Sequence, residues 1–156
     1  MNGKMLIAML YLCGAAVLLR LRPKKPSPPE LAVECGNRHV VATRGAYFWS
    51  SHGSSTIAGG KHILELVESM SSISRDGEEE AALIFDVEPI SVAVKCWSDR
   101  HAYADDKGNY ETGSRELVYD NGRIDIPTDG SYVYEVYAVW ENGSAHYGFY
   151  IVEQAG

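Results

Sequence analysis

Side-chain catalysis needs a nucleophile beside a base, a pair of facing carboxylates, or a metal, and the sequence offers little spacing suited to any of these. Five histidines at 39, 52, 62, 101 and 146 are scattered, without the Cys-x-x-Cys or His-Glu-x-x-His spacing that sets zinc ligands together. Gly53 to Gly60 is rich in Gly and Ser but lacks the Gly-Lys-Ser/Thr of a phosphate-binding loop, and reads as a flexible connection. Asp76 with Glu78, Glu79 and Glu80, and Asp105 with Asp106, carry the hard oxygens that calcium prefers. They lack the alternating spacing of an EF-hand loop and read as solvated loops. The expectation is no catalytic residue, no metal and no cofactor.

Binding chemistry is better represented. Tyr47, Phe48 and Trp49 are consecutive, and Trp97, His101 and Tyr103 add further rings. Three adjacent aromatics in a strand cannot all face one core, so at least one is exposed or covers a sheet edge. Such a ring can stack on a sugar or anchor a protein partner, although sandwich cores also employ Trp and Tyr. Tyr47, Phe48, Trp49 and Trp97 are therefore the candidate partner contacts. Cys13 lies in an apolar run, which leaves Cys35 and Cys96 as the pair available to the domain. An oxidising compartment would let them form a disulfide; the other reading is two buried thiols. Asn142-Gly-Ser144 has the form of a glycosylation acceptor, but a hairpin needs those residues for its own geometry.

The elements that must position these residues follow from charge and periodicity. From Glu30 onward there are nine Lys and Arg against 21 acidic residues, a net charge of −12, whereas the first 29 residues carry five basic residues and no acidic one. A domain this acidic does not neutralise phosphates, so nucleic acid is excluded as a partner. Lys4, the apolar run Met5 to Leu19, and the stretch Arg20 to Pro29 follow the grammar of membrane targeting. The run is short for a span and long for a signal core, and no clean cleavage site follows it. An uncleaved anchor over 1–22 is thus favoured over a removed signal peptide. Cys13 makes a poor lipoprotein site, because Leu12 stands where a small residue belongs. Residues 23–29 form a Pro-rich spacer and 30–156 one domain. The basic residues after the run outnumber Lys4, which would hold the domain in the cytoplasm. Its acidic, Tyr-rich character and the extended spacer point outside instead, and an extracytoplasmic domain on a single-pass anchor in the cell membrane is the expectation.

Within the domain, Tyr132 to Trp140 and Ala145 to Val152 alternate about Asn142-Gly143, a strong hairpin signal. A two-residue Asn-Gly turn would pair Trp140 with Ala145, Ala138 with Tyr147, Val136 with Phe149 and Tyr134 with Ile151, placing all eight in a core. Further strands are expected around Leu31 to Cys35, Arg38 to Thr43, Leu83 to Val87, Val92 to Cys96, Glu116 to Tyr119 and Arg123 to Ile126. From Lys61 to Ser71, Ile63, Leu64, Val67 and Met70 recur at helical spacing and predict one short helix. Many short strands with frequent turns point to a sandwich.

Asp129-Gly-Ser-Tyr132-Val-Tyr134 before a long alternating strand resembles the tyrosine-corner entry of an immunoglobulin-like F strand. Ala42 to Trp49, Phe85 to Pro89, Val94 to Asp99 and Gly130 to Val136 are similar to little-characterised extracytoplasmic proteins and lipoproteins of Gram-positive, clostridial-type bacteria. They also resemble domains attached to membrane metallopeptidases of the β-lactam-sensor type. With the strand pattern, the helical spacing and the apolar leader, the expected fold is an all-β, immunoglobulin-like antiparallel β-sandwich with one short helix, preceded by an N-terminal hydrophobic helix. The resemblance implies no catalytic or ligand residue. The functional expectation is a membrane-tethered, non-enzymatic binding or assembly module of the cell envelope, meeting an envelope protein or glycan. A sensor accessory contacting a membrane protein, or an enzyme of unrecognised type, are the alternatives. Protease added to intact spheroplasts should digest residues 30–156; protection until the membrane is opened would place the domain in the cytoplasm.

Overall fold

The computed structural model describes residues 26–104 and 110–154. The expected anchor over 1–22, with Cys13, and the Asp105-Asp106 pair lie outside these residues. Among the described residues no helix is long and apolar enough to cross a membrane.

Two antiparallel sheets form a β-sandwich. The first has the order β2 (Arg38–Val41), β1 (Leu31–Cys35), β6 (Glu80–Phe85), β10 (Arg123–Asp125), β9 (Tyr119–Asp120). The second runs β4 (Ser54–Ala58), β3 (Thr43–Ser51), β12 (Gly143–Val152), β11 (Tyr132–Trp140), β7 (Ser91–Ser98), β8 (Arg115–Leu117). β5 (Ser72–Ser74) joins the far end of β12 in parallel. Turn chemistry sets the local hairpins. Asn121 and Gly122, at φ of 47° and 77°, turn β9 into β10, as Asp120-Asn121-Gly122 leads one to expect. Between β8 and β9 the chain crosses from one sheet to the other at Val118.

Alternation decides what lies inside. Leu31, Val33 and Cys35 of β1 and Leu83 and Phe85 of β6 face Val94 and Cys96 of β7, Tyr134, Val136, Ala138 and Trp140 of β11, and Ala145, Tyr147, Phe149 and Ile151 of β12 in one core. Trp140 bridges the two sheets, edge-on to Phe85 at 5.7 Å and to Trp49 at 5.5 Å. Its Nε1 donates to Val87 O at 2.9 Å, so the ring is buried without an orphan donor. Tyr147 reaches out of the core to donate to Pro29 O at 2.6 Å, fixing the chain where it enters β1.

All eight hairpin residues expected inside are buried, but their partners are not those the Asn-Gly turn predicts. Trp140 pairs with Gly143, Ala138 with Ala145, Val136 with Tyr147, and Tyr134 with Phe149, with Glu141 and Asn142 as the turn. The slip is two residues, which preserves both faces. Its cause lies in β3. Asn142 O accepts the Ser50 amide at 2.8 Å and the Ser50 hydroxyl at 3.1 Å, which claims the turn for the β3 ladder. Gly143 then starts β12 so close to β3 that a Cβ would lie 2.0 Å from Phe48 O. The glycine is required there for close approach.

The short helix expected over 61–71 is instead two successive 3-10 turns, Ile63–Glu65 and Val67–Ser69. The apolar spacing is real, since Ile63, Leu64 and Val67 are buried. The segment lies over a sheet, and a three-residue turn sets Leu64 and Val67 on the side it buries. A single α-helical turn, α1 (Asp99–Ala102), is capped by Ser98, whose Oγ accepts the His101 amide at 3.4 Å.

Two substitutions test this packing by denaturant melts. Gly143→Ala should cost about 1–3 kcal/mol, because the methyl group must displace the β3 backbone. Val136→Asp, at a position with no exposed surface, should cost about 4 kcal/mol or more and leave little folded domain. Tolerance of either would show the core faces to be wrongly placed.

Candidate functional site

The seven-stranded sheet has a second face, turned away from the core and only half covered. Its residues are Val133, Glu135, Tyr137 and Val139 on β11, Ser144, His146, Gly148 and Tyr150 on β12, and Ala93, Lys95 and Trp97 on β7. Residues 61–70 lie over one end of this face. There Ile63, Leu64 and Val67 pack with Trp97, Ala102 and Val133 into a second, smaller core, with Met70 and Tyr150 at its margin. Gly148 makes the seat: a Cβ there would stand 2.7 Å from Met70 Cε and 2.9 Å from Ile63 Cγ2.

Where this cover stops, polar groups converge. Glu135 Oε1 accepts a hydrogen bond from His146 Nδ1 at 2.8 Å, and His62 Nε2 stands 4.0 Å from Glu135 Oε2. The His62 Nδ1 accepts the Leu64 amide at 3.2 Å, which places the proton of the neutral ring on the nitrogen facing Glu135. The His62 ring stacks on Tyr110 with centroids 4.0 Å apart and planes 2° from parallel, and meets Trp97 edge-on at 5.6 Å. Tyr110 is itself held twice: its carbonyl accepts from Trp97 Nε1 at 2.8 Å and its hydroxyl bonds to Glu65. Beyond Glu135, Lys95 bonds Glu111 at 2.8 Å, and the Tyr137 ring lies 4.6 Å from that of His146.

The electrostatics follow from burial and neighbours. Burial pushes the Glu135 carboxyl up, but the hydrogen bond from His146 and the positive charges of His146, His62 and Lys95 outweigh it, and the group sits below the usual carboxylate range. Burial pushes His62 down; Glu135 and Glu65 oppose this without reversing it. His62 is therefore neutral near pH 7, and its contact with Glu135 becomes an ion pair only in acid.

A carboxylate bonded to an imidazole Nδ1 is the orienting half of a nucleophilic triad, with Nε2 turned outward as a base or donor. Among the described residues no hydroxyl or thiol is hydrogen-bonded to His146 Nε2. The pair as built can orient a ring nitrogen toward a ligand. Among the described residues no group of three His, Cys, Asp or Glu side chains could hold a metal ion.

The residues singled out from the sequence are dispersed. Trp49 belongs to the main core and Trp97 to the smaller one, while Tyr47 is half-buried with the Arg44 guanidinium 5.8 Å from its ring centroid. Phe48 is 43% exposed and lies on the outer face opposite Ile57, which is 75% exposed. Cys35 and Cys96 are both buried and present as free thiols. Cys35 Sγ donates to Arg75 O at 3.5 Å, and burial raises its thiol; burial pushes Cys96 to about 11. Both stay protonated and unreactive near neutrality. Asp76 lies 3.9 Å from Arg38 and Glu80 3.0 Å from Arg123, as solvated loop and strand-end charges. A shallow depression at one end of the sandwich is lined by Asp99, Asp129 and Glu153 among others. These carboxylates are engaged by Tyr150, by Tyr132 with Arg115, and by Arg75.

Sequence reasoning did not find Glu135, His146 and His62 as a unit. Glu135 and His146 stand on the strand faces opposite the expected core, and His62 and Tyr110 arrive from distant loops. The one available signal was a carboxylate in the middle of an otherwise apolar strand. No known protein family, curated protein or solved structure matches the chain.

Acid should loosen this corner in two steps. His62 has a lowered pKa, so its stabilising contribution is complete above its ordinary value of 6.5 and is lost as pH falls below it. Glu135 is also lowered, so its contribution holds above 4.5 and is lost as pH falls through its folded value. Thermal melts from pH 8 to 3 should show His62→Asn removing the first decline and Glu135→Gln the second. At neutral pH Glu135→Gln should cost about 1 kcal/mol, less than a fully buried charged hydrogen bond, because its His146 partner is 38% exposed.

Proposed function

We propose that the chain is a membrane-tethered, extracytoplasmic module of the bacterial cell envelope that binds or assembles with an envelope protein and performs no catalysis. Residues 1–22 anchor it, residues 23–29 hold it off the membrane, and the domain's sandwich is immunoglobulin-like. One observation carries the binding reading: the uncovered half of the outer face. Both cores are complete without it, yet Ile57, Phe48 and Tyr137 present exposed apolar surface there, with Val139 between them in the ladder and the Glu135–His146 pair alongside. Rigid aromatic anchors beside a few oriented polar groups are the usual make-up of a protein-binding patch. The long central strand β11, entered through Asp129-Gly-Ser-Tyr132, supports the immunoglobulin-like reading, although the Tyr132 hydroxyl bonds the Asp129 side chain at 2.9 Å where a tyrosine corner would use backbone. The Glu135–His146 pair is what favours the alternative of an enzyme.

A photo-crosslinking amino acid placed at Tyr137 in the full-length chain, in living cells, should trap a defined envelope protein. The same residue at Ile84, exposed on the opposite sheet, should not. Equal trapping at both positions, or none at Tyr137, would overturn the assignment of this face.

A further inference from the structure

Among the described residues, β2 and β9 end the first sheet and β4 and β8 the second, while β5, only three residues long, has β12 as its one partner. An end strand leaves alternate N–H and C=O groups unpaired along its outer side and invites another strand, so proteins guard such edges with charge, proline, bulges or brevity. β2 carries Arg38 and His39, β8 carries Arg115 and Glu116, and β9 is two residues long with Asp120. β4 is Ser54-Ser-Thr-Ile-Ala58, with no charge, no proline and an unbroken register against β3.

The direction of its free groups follows from its turn. His52 and Gly53, at φ of 51° and 76°, make a two-residue hairpin closed by Ser51 and Ser54. Alternation from that closing pair turns the N–H and C=O of Ser54, Thr56 and Ala58 toward β3, and those of Ser55 and Ile57 outward. The Ser50 amide, which points away from β4 to Asn142 O, agrees with this alternation.

We propose that β4 is an interface between two copies of this chain, which pair antiparallel about a two-fold axis at Thr56 and join their seven-stranded sheets into one. In that register Ser55 of each copy lies opposite Ile57 of the other, and the outward groups of both residues are satisfied in four hydrogen bonds. The two Ile57 side chains meet diagonally across the seam and, with Phe48 of each copy, form one apolar ridge. Charge selects a second copy at this edge. The domain carries −12, yet no acidic residue occurs from Cys35 to Leu64, a stretch that contains Arg38, Arg44 and Lys61. β3 and β4 belong to it, so two acidic domains approach through the edge where they repel least. Phe48 and Ile57 also belong to the outer face, but the strand pairing itself uses only the backbone edge of β4 and needs no ligand on that face.

The test uses the full-length chain in mild detergent. Thr56→Cys puts a thiol on the two-fold axis and should form a disulfide-linked dimer at least tenfold faster than Ser55→Cys or the parent chain, with the bridge mapped by mass spectrometry to position 56 of both copies. In sedimentation, Ile57→Pro removes an outward N–H that β3 does not use, and should weaken dimerisation at least tenfold while near-ultraviolet dichroism stays native. Ile57→Lys alone should also weaken it, and Ser55→Glu added to Ile57→Lys should restore it, since each Glu then faces a Lys of the other copy. A monomeric parent chain, equal crosslinking at 55 and 56, or a dimer that survives Ile57→Pro would each overturn the proposal.

Discussion

The first half of β11 is buried on both faces. Tyr134 lies in the sandwich core while its neighbour Val133, pointing the opposite way, is equally shut off from water. One apposed sheet can satisfy only one of these faces, so something must lie over the other. Residues 61–70, Trp97 and α1 do this, and the sheet accommodates them by being thin at Gly148. Glu135 is the next residue along the strand and comes to rest at the rim of that cover. Its carboxylate is shielded enough to need partners and open enough to keep its charge. His62 arrives because it caps the first turn of the covering segment, and His146 because it lies one strand over. The polar cluster is thus a consequence of how an amphipathic cover ends on a sheet.

That cover is also fastened by contacts of different kinds. Apolar burial holds Ile63 and Leu64, whereas ring stacking and a buried indole hydrogen bond hold His62 and Tyr110. Apolar burial is indifferent to proton concentration and the Glu135–His62 contact is not. Charging the His62 ring, which burial disfavours more than Glu135 favours it, would therefore release the rim of the segment before its centre.

Much of the fold was legible because alternation is a two-residue signal and the core needs only faces to be right. The hairpin residues show this most clearly: the Asn142-Gly143 dipeptide suggested one register, β3 imposed another two residues away, and the buried set stayed the same. What a local pattern could not report was the action of a strand nearly a hundred residues distant. The same limit explains the 61–71 segment, whose apolar spacing suits an α-helix in isolation but suits two 3-10 turns against a flat sheet. It explains the aromatics too. Tyr47, Phe48, Trp49 and Trp97 are close in chemistry and partly in sequence, but alternation along β3 turns Phe48 outward and a second core takes Trp97. The Glu135 cluster needed three segments brought together by tertiary structure, and no spacing within one of them announced it.

β3 spans Thr43–Ser51, and the strand it leans on in the sheet, β12, is the last of the described chain. β5 depends on the same strand. Contacts of such long sequence separation form slowly, because a long loop must close before any of them is rewarded. During synthesis the N-terminal half of the sandwich has no middle to its larger sheet until the final strand emerges. The sandwich therefore sets only once β12 has been made: without that strand β5 has no partner in the sheet and β3 keeps only β4.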